Sequence, residues 1–173
     1  IAINKKSGDI IQSDKTGDIP LSNFVKAYIK KKYKKEGAVF LGTIHRLDRP
    51  TSGIVLFART SKALSRMNEQ FRNKEVQKTY WAVVENAPPK TSDTLENYLQ
   101  KDQKKNKSYI IKGPQGKHAI LEYRLIRKLD NFYHLEIKPK TGRHHQIRVQ
   151  LTNIGCIIKG DLKYGAKRSN KDA

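Results

Sequence analysis

Cysteine occurs once, at position 156, so the chain can form neither an intrachain disulfide nor a cysteine-based zinc site. A reducing, cytoplasmic compartment is the expectation. Long apolar runs are missing too: nothing approaches the roughly 20 residues of a membrane-spanning helix, and the opening residues are not a signal-peptide pattern. No membrane partner is expected. Acidic residues are scarce, 16 Asp and Glu against 36 Lys and Arg, which leaves a net charge of +20 on 173 residues and a sequence pI near 10.0. That balance points to a polyanion, nucleic acid first. Glycine-rich phosphate loops of the Walker or dinucleotide type are absent, and neither an internal repeat nor a linker interrupts the chain. With 36% hydrophobic residues the length suits one core and one domain over residues 1–173.

The hydrophobic pattern alternates strands and helices without the regular βαβ rhythm of a parallel sheet. Ile1–Asn4 reads as a strand. Ser22–Glu36 reads as a helix with Ser22 as cap, Phe24, Val25, Tyr28 and Ile29 on its apolar side, and Gly37 as its stop. Lys30, Lys31, Lys32, Lys34 and Lys35 crowd its end, where cations suit the helix dipole and could equally touch RNA phosphate. Gly53–Ala58 is a short apolar strand, and Leu64, Met67 and Phe71 recur at helical spacing in Ser61–Asn73, which predicts a core-facing helix. Gln77–Glu85 is rich in β-branched and aromatic residues and predicts a strand. The polar stretch Lys101–Lys107 reads as an exposed hairpin turn that could also meet phosphate. His118–Arg127 and Phe132–Lys138 read as antiparallel strands joined through Leu129-Asp130-Asn131, and His144–Asn153 as a helix with Ile147, Leu151 and Ile154 on one side. The fold class expected is α+β.

The chemistry concentrates in His45-Arg46-Leu47-Asp48-Arg49-Pro50-Thr51-Ser52-Gly53. Here one carboxylate stands between two arginines that favour its ionised form, ahead of an apolar strand, and Thr51-Ser52-Gly53 permits a tight turn into it. The local chemistry alone fits a surface ion pair as well as it fits catalysis. The whole string, however, resembles the H-R-L-D-x-x-T-S-G signature of the RluA-type pseudouridine synthases. Three further blocks follow in that family's order: Lys78-Thr79-Tyr80-Trp81-Ala82-Val83-Val84, similar to K-x-Y-x-A-x-V; Thr141-Gly142-Arg143-His144-His145-Gln146-Ile147-Arg148, similar to T-G-R-x-H-Q-I-R; and Gly160-Asp161-Leu162-Lys163-Tyr164-Gly165, similar to G-D-x-x-Y-G. Asn4-Lys5-Lys6-Ser7-Gly8 resembles the N-K-P-x-G that opens the family's catalytic domain, with Lys6 in place of proline.

The resemblance implies the pseudouridine synthase fold, a largely antiparallel mixed β-sheet with flanking helices and an RNA-binding cleft. It also implies isomerisation of specific uridines in structured RNA, ribosomal or transfer. Asp48 would be the nucleophile, attacking either ribose or uracil; Tyr80 would stack on the base and act in the late proton transfer; Arg143 would pair with the aspartate. Arg46, His45, Arg49, His145 and Arg148 are the candidate RNA contacts, Arg46 also as the side chain that fills the gap left by a flipped base. No metal and no cofactor is expected, since the isomerisation needs neither a Lewis acid nor a redox centre. On a helix the adjacent His144 and His145 would point apart, and Asp161 suits a turn better than a second acid. A monomer without a protein partner is expected. Relative to the family pattern the catalytic domain is expected to be cut short at both ends and to lack the small N-terminal RNA-binding domain. Two other functions compete: a basic RNA-binding module without chemistry, and a metal-dependent nuclease built on Asp48 and Asp161.

Overall fold

The computed structural model describes residues 1–14 and 16–170. Two compact units divide the chain, Ile1–Glu75 and Val76–Lys171. Every strand pairing among the described residues is antiparallel, and the class is α+β. No helix among these residues is long and apolar enough to cross a membrane.

The first unit builds a three-stranded sheet from β1 (Ala2–Lys5), β2 (Gly42–Thr43) and β3 (Gly53–Ala58) in the order β1-β3-β2. The apolar run is therefore the central strand. Period-two alternation puts Val55 and Phe57 on one face, where they are buried with Ile11 and with Val25 and Ile29 of α1 (Leu21–Lys32).

Helix α1 departs from expectation at both ends. It starts at Leu21 behind Pro20, whose extended backbone (φ −73°, ψ 151°) fits a cap position, so Ser22 lies inside the helix and no side chain caps it. It stops four residues before Glu36 because Lys34 turns left-handed (φ 46°). Lys34 N then donates to Lys31 O at 3.4 Å and Lys35 N to Lys30 O at 3.1 Å, a Schellman ending. Of its expected apolar side only Val25 and Ile29 are buried; Phe24 and Tyr28 are exposed.

Helix α2 (Ser61–Arg72) is capped by Thr60, whose Oγ1 accepts from Ala63 N at 3.1 Å. It ends the same way as α1, with Lys74 at φ 61° and Glu75 N donating to Gln70 O at 3.0 Å. Leu64, Met67 and Phe71, expected as core, are only half-buried, and no residue of α2 is fully buried. A three-stranded sheet with a two-residue edge strand is too narrow to cover the stripe.

Both helices thus end on a lysine in a region that costs a side chain about 1–2 kcal/mol. Glycine there escapes that cost and loses about 0.5–1 kcal/mol in chain entropy. The double variant Lys34→Gly/Lys74→Gly should therefore gain about 1 kcal/mol. Chemical denaturation checks this, and an unchanged or lower midpoint contradicts it.

The second unit is a five-stranded sheet of β4 (Tyr80–Val84), β5 (Ser92–Asp102), β6 (Lys107–Ile111), β7 (Lys117–Lys128) and β8 (Tyr133–Pro139), in the order β4-β8-β7-β5-β6. One face carries Ala82, Val84, Leu95, Leu121, Tyr123, Leu135 and Ile137, which close over Leu151 of α3 (Gln146–Asn153) and Cys156 behind it. Burial pushes the Cys156 thiol up, which keeps it protonated and inert. The Lys101–Lys107 turn is as expected: Asp102 and Lys107 pair across it, and Asp102 Oδ1 accepts from Lys105 N at 3.0 Å. The strands that it joins, β5 and β6, have no counterpart in the sequence expectation. Helix α3 begins two residues later than expected, because His145 adopts a left-handed backbone (φ 52°) at its start.

Candidate active site

Asp48 lies at the end of a loop that leads into β3. Thr51 N donates to Asp48 O at 2.9 Å, so the turn spans residues 48–51, upstream of the expected Thr51-Ser52-Gly53. Gly53 then opens the strand at φ 132°, a conformation that favours glycine. The loop is clamped from β1. Lys5 is 1% exposed, and its Nζ donates to Lys6 O and Arg49 O at 2.9 Å and to Thr51 O at 2.7 Å. Gly8 N adds a bond to Arg49 O at 3.0 Å, and Ser7 Oγ one to Pro50 O at 3.1 Å. Burial lowers the Lys5 pKa, while the carboxylates of Asp9 and Asp48 oppose that shift. A single ammonium therefore fixes the backbone on which Asp48 stands and adds positive potential beside it.

Asp48 itself is half-buried. Of its two flanking arginines, Arg46 is exposed and Arg49 turns to Asp18, Nη2 to Oδ2 at 2.7 Å, a half-exposed pair of little energetic weight. His45 is half-buried: its Nε2 accepts from Leu56 N at 3.2 Å and its ring stacks on Phe71 at 5.3 Å. His45 therefore fastens the motif to β3 and α2, a packing role besides the RNA contact expected of it.

In the second unit Tyr80 is the first residue of β4, half-buried against the core and opposite Ile137. Two residues earlier, Lys78 has its pKa lowered by burial, and its Nζ lies 3.8 Å from where a Cβ on Gly142 would stand. The Lys78-Thr79-Tyr80 and Thr141-Gly142-Arg143 blocks, about sixty residues apart, are thus neighbours. The second block is a loop knotted onto β7. Gln146, 4% exposed, accepts at Oε1 from Thr141 Oγ1 at 2.8 Å and Arg143 N at 3.0 Å, and donates through Nε2 to Ile120 O at 3.0 Å. Ile120 N donates to Thr141 Oγ1 at 2.9 Å. Arg143 is exposed and anchored through Nε to His118 O at 2.8 Å, which fixes the direction of its guanidinium.

His144 and His145 do not point apart. Both precede α3, and their rings stack at 3.8 Å with 21° between planes, because the left-handed His145 folds back over its neighbour. His144 Nδ1 meets Ser108 Oγ at 2.8 Å, and His145 Nδ1 meets Tyr164 OH at 3.0 Å. Arg148 makes a two-point bond to Asp161, Nε to Oδ2 and Nη2 to Oδ1, each 2.7 Å, and lies 4.9 Å from the Tyr164 ring centroid. Arg148 and Tyr164 therefore latch the fourth motif to α3, and Asp161 is engaged as an ion-pair partner. Among the described residues no three His, Cys, Asp or Glu side chains gather as a metal-binding group.

The model of the RNA pseudouridylate synthase family matches residues 1–153. The chain belongs to that family. Ribosomal large subunit pseudouridine synthase C of Rickettsia felis is 36% identical over 169 residues, covering 96% of this chain and 53% of the relative. Ribosomal large subunit pseudouridine synthase D of Borreliella burgdorferi is 33% identical over 150 residues, covering 86% of this chain and 46% of the relative. The chain thus spans about half the length of these curated relatives. In fold it is similar to human RNA Pseudouridylate Synthase Domain Containing 4, with a TM-score of 0.79 at 24% identity over 94% of this chain and 64% of that one. The pseudouridine synthase fold expected from the motifs is the fold observed.

Two positioning residues had no role assigned from sequence. Lys5 sits in the Asn4–Gly8 block, whose place beside the Asp48 motif only the β1–β3 pairing discloses; Gln146 sits within the third motif, and its burial beneath β7 is a tertiary fact.

Proposed function

We propose that this chain is the catalytic part of an RNA pseudouridine synthase acting on uridine in structured RNA, with large-subunit ribosomal RNA the favoured substrate. One observation carries the reading: a half-buried aspartate in the family's signature, on a loop whose backbone is pinned by a buried lysine. The net charge of +20 suits the polyanion, and the names of the bacterial relatives favour ribosomal RNA. Asp48 attacks ribose carbon 1 or the uracil ring, the bond from carbon 1 to nitrogen 1 breaks, the base turns, and carbon 1 bonds to carbon 5. Carbon 5 loses a proton, nitrogen 1 gains one, and the aspartate is released; the sum is an isomerisation that consumes no co-reactant.

Tyr80 supplies a ring to stack on the base and a hydroxyl for the carbon 5 proton. Tyr80→Phe keeps the ring, so RNA affinity should persist while turnover falls by about 100-fold or more. Single-turnover assays alongside RNA-binding titrations separate the two, and undiminished turnover removes Tyr80 from the chemistry. The function itself is tested by mapping pseudouridines in RNA from cells with and without the full-length protein. Loss at one or a few ribosomal positions is expected; an unchanged map overturns the proposal.

A further inference from the structure

We propose that the outer face of α1 is a stacking platform for unpaired RNA nucleotides, made of residues other than those of the Asp48 motif; the inference rests on RNA being the partner. Phe24 and Tyr28, one helical turn apart, are 58% and 55% exposed, and Tyr33 at the helix end is 46% exposed. Exposed single rings are ordinary. Two of the three, Tyr28 and Tyr33, are held beside cations. Lys32 Nζ donates to Tyr28 OH at 2.9 Å and lies 5.4 Å from the Tyr28 centroid and 5.9 Å from that of Tyr33. Arg59 lies 4.2 Å from the Tyr33 centroid and donates through Nη1 to Tyr33 OH at 3.1 Å. Rings for bases, with cations beside them for phosphates, are what single-strand binding surfaces combine, and an arginine laid on a ring offers its own plane to a base.

The sequence of α1 contains no Asp or Glu, so nothing on the helix repels a phosphate chain. An anionic membrane shares that charge complementarity but needs a continuous apolar face to insert. Val25 and Ile29 of α1 are already spent on the core. The core takes its share from those two residues and leaves the aromatic ones outside, open to a ligand.

The test uses the whole protein and three probes: a fluorescent oligoadenylate, an abasic deoxyribose-phosphate strand of equal length, and phosphatidylserine vesicles. Oligoadenylate contains no uridine, so the isomerisation site has no substrate base to capture. Phe24→Ala/Tyr28→Ala should weaken oligoadenylate about 25-fold or more, since each lost stack is worth about five-fold or more, and should leave the weaker abasic strand unchanged. Lys32→Gln/Arg59→Gln should weaken both strands and flatten the salt dependence. The proposal is overturned if Phe24→Ala/Tyr28→Ala binds oligoadenylate like the parent, if the abasic strand binds the parent as tightly as oligoadenylate does, or if vesicles displace oligoadenylate from the two rings. Asp48→Asn should bind oligoadenylate like the parent. Normal turnover by Asp48→Asn would sink the catalytic reading and leave the platform standing, whereas loss of the platform would leave isomerisation at Asp48 untouched.

Discussion

Asp48→Asn should abolish pseudouridine formation, by a factor on the order of 10⁴ or more, while RNA affinity stays close to that of the parent. The amide has nearly the same shape, but it is no nucleophile, and removal of a covalent nucleophile leaves only the catalysis supplied by binding and orientation. Because Asp48 is only half-buried at the mouth of β3, the substitution deletes no packing and the fold should survive it. Pseudouridine and uridine have equal mass and separate by chromatography of the digested RNA. Product formed by Asp48→Asn at the parent's rate would remove the carboxylate from the mechanism.

Lys5→Met should show the largest stability effect. Methionine keeps most of the buried side-chain volume, but Lys6 O, Arg49 O and Thr51 O lose their shared donor. A buried acceptor left unpaired costs about 1–3 kcal/mol. Arg49 O keeps Gly8 N and Lys6 is exposed to water, so Thr51 O is the acceptor left short and the expected loss is about 1–3 kcal/mol. Turnover of the folded fraction should fall as well, because a loop released by about 1 Å can cost on the order of 100-fold in rate. Ser7→Ala is the control: it removes an exposed bond to the neighbouring Pro50 O and should cost no more than about 0.5 kcal/mol. If Lys5→Met unfolds at the parent's denaturant concentration, the clamp is not what holds the loop.

The elements that the sequence predicted well are those in which local pattern and tertiary environment agree. Gly53–Ala58 is apolar throughout and became the central strand of its sheet; the strand after Phe132 alternates cleanly, the one after His118 does so until its register shifts between Leu125 and Arg127, and one face of each is buried. Strands β5 and β6 were hidden because few apolar residues mark their buried side: Leu95 and Leu99 stand four apart in β5, and in β6 the polar Ser108 is buried while Tyr109 faces outward. The end of α1 was misjudged because a left-handed lysine, not Gly37, closes it. Residue identities within the four motifs located the candidate site. What those side chains touch was not legible there: the Arg49–Asp18 pair reaches a residue outside the motifs, and the His144–His145 stack and the Arg148–Asp161 pair depend on backbone geometry and on two motifs meeting in space. The stacked histidines depend on one backbone angle, the left-handed φ of His145, which histidine adopts more readily than most side chains but which its sequence position does not announce.

The central claim is that this chain exchanges the bond from ribose to uracil nitrogen 1 for one to carbon 5, a change that must expel the hydrogen on carbon 5. Unmodified large-subunit ribosomal RNA carrying tritium at uracil carbon 5, incubated with the full-length protein, measures that step directly. The account predicts tritium release into water in equal number with the pseudouridines formed, and none with Asp48→Asn. Tight binding of the same RNA by the parent without tritium release would contradict it.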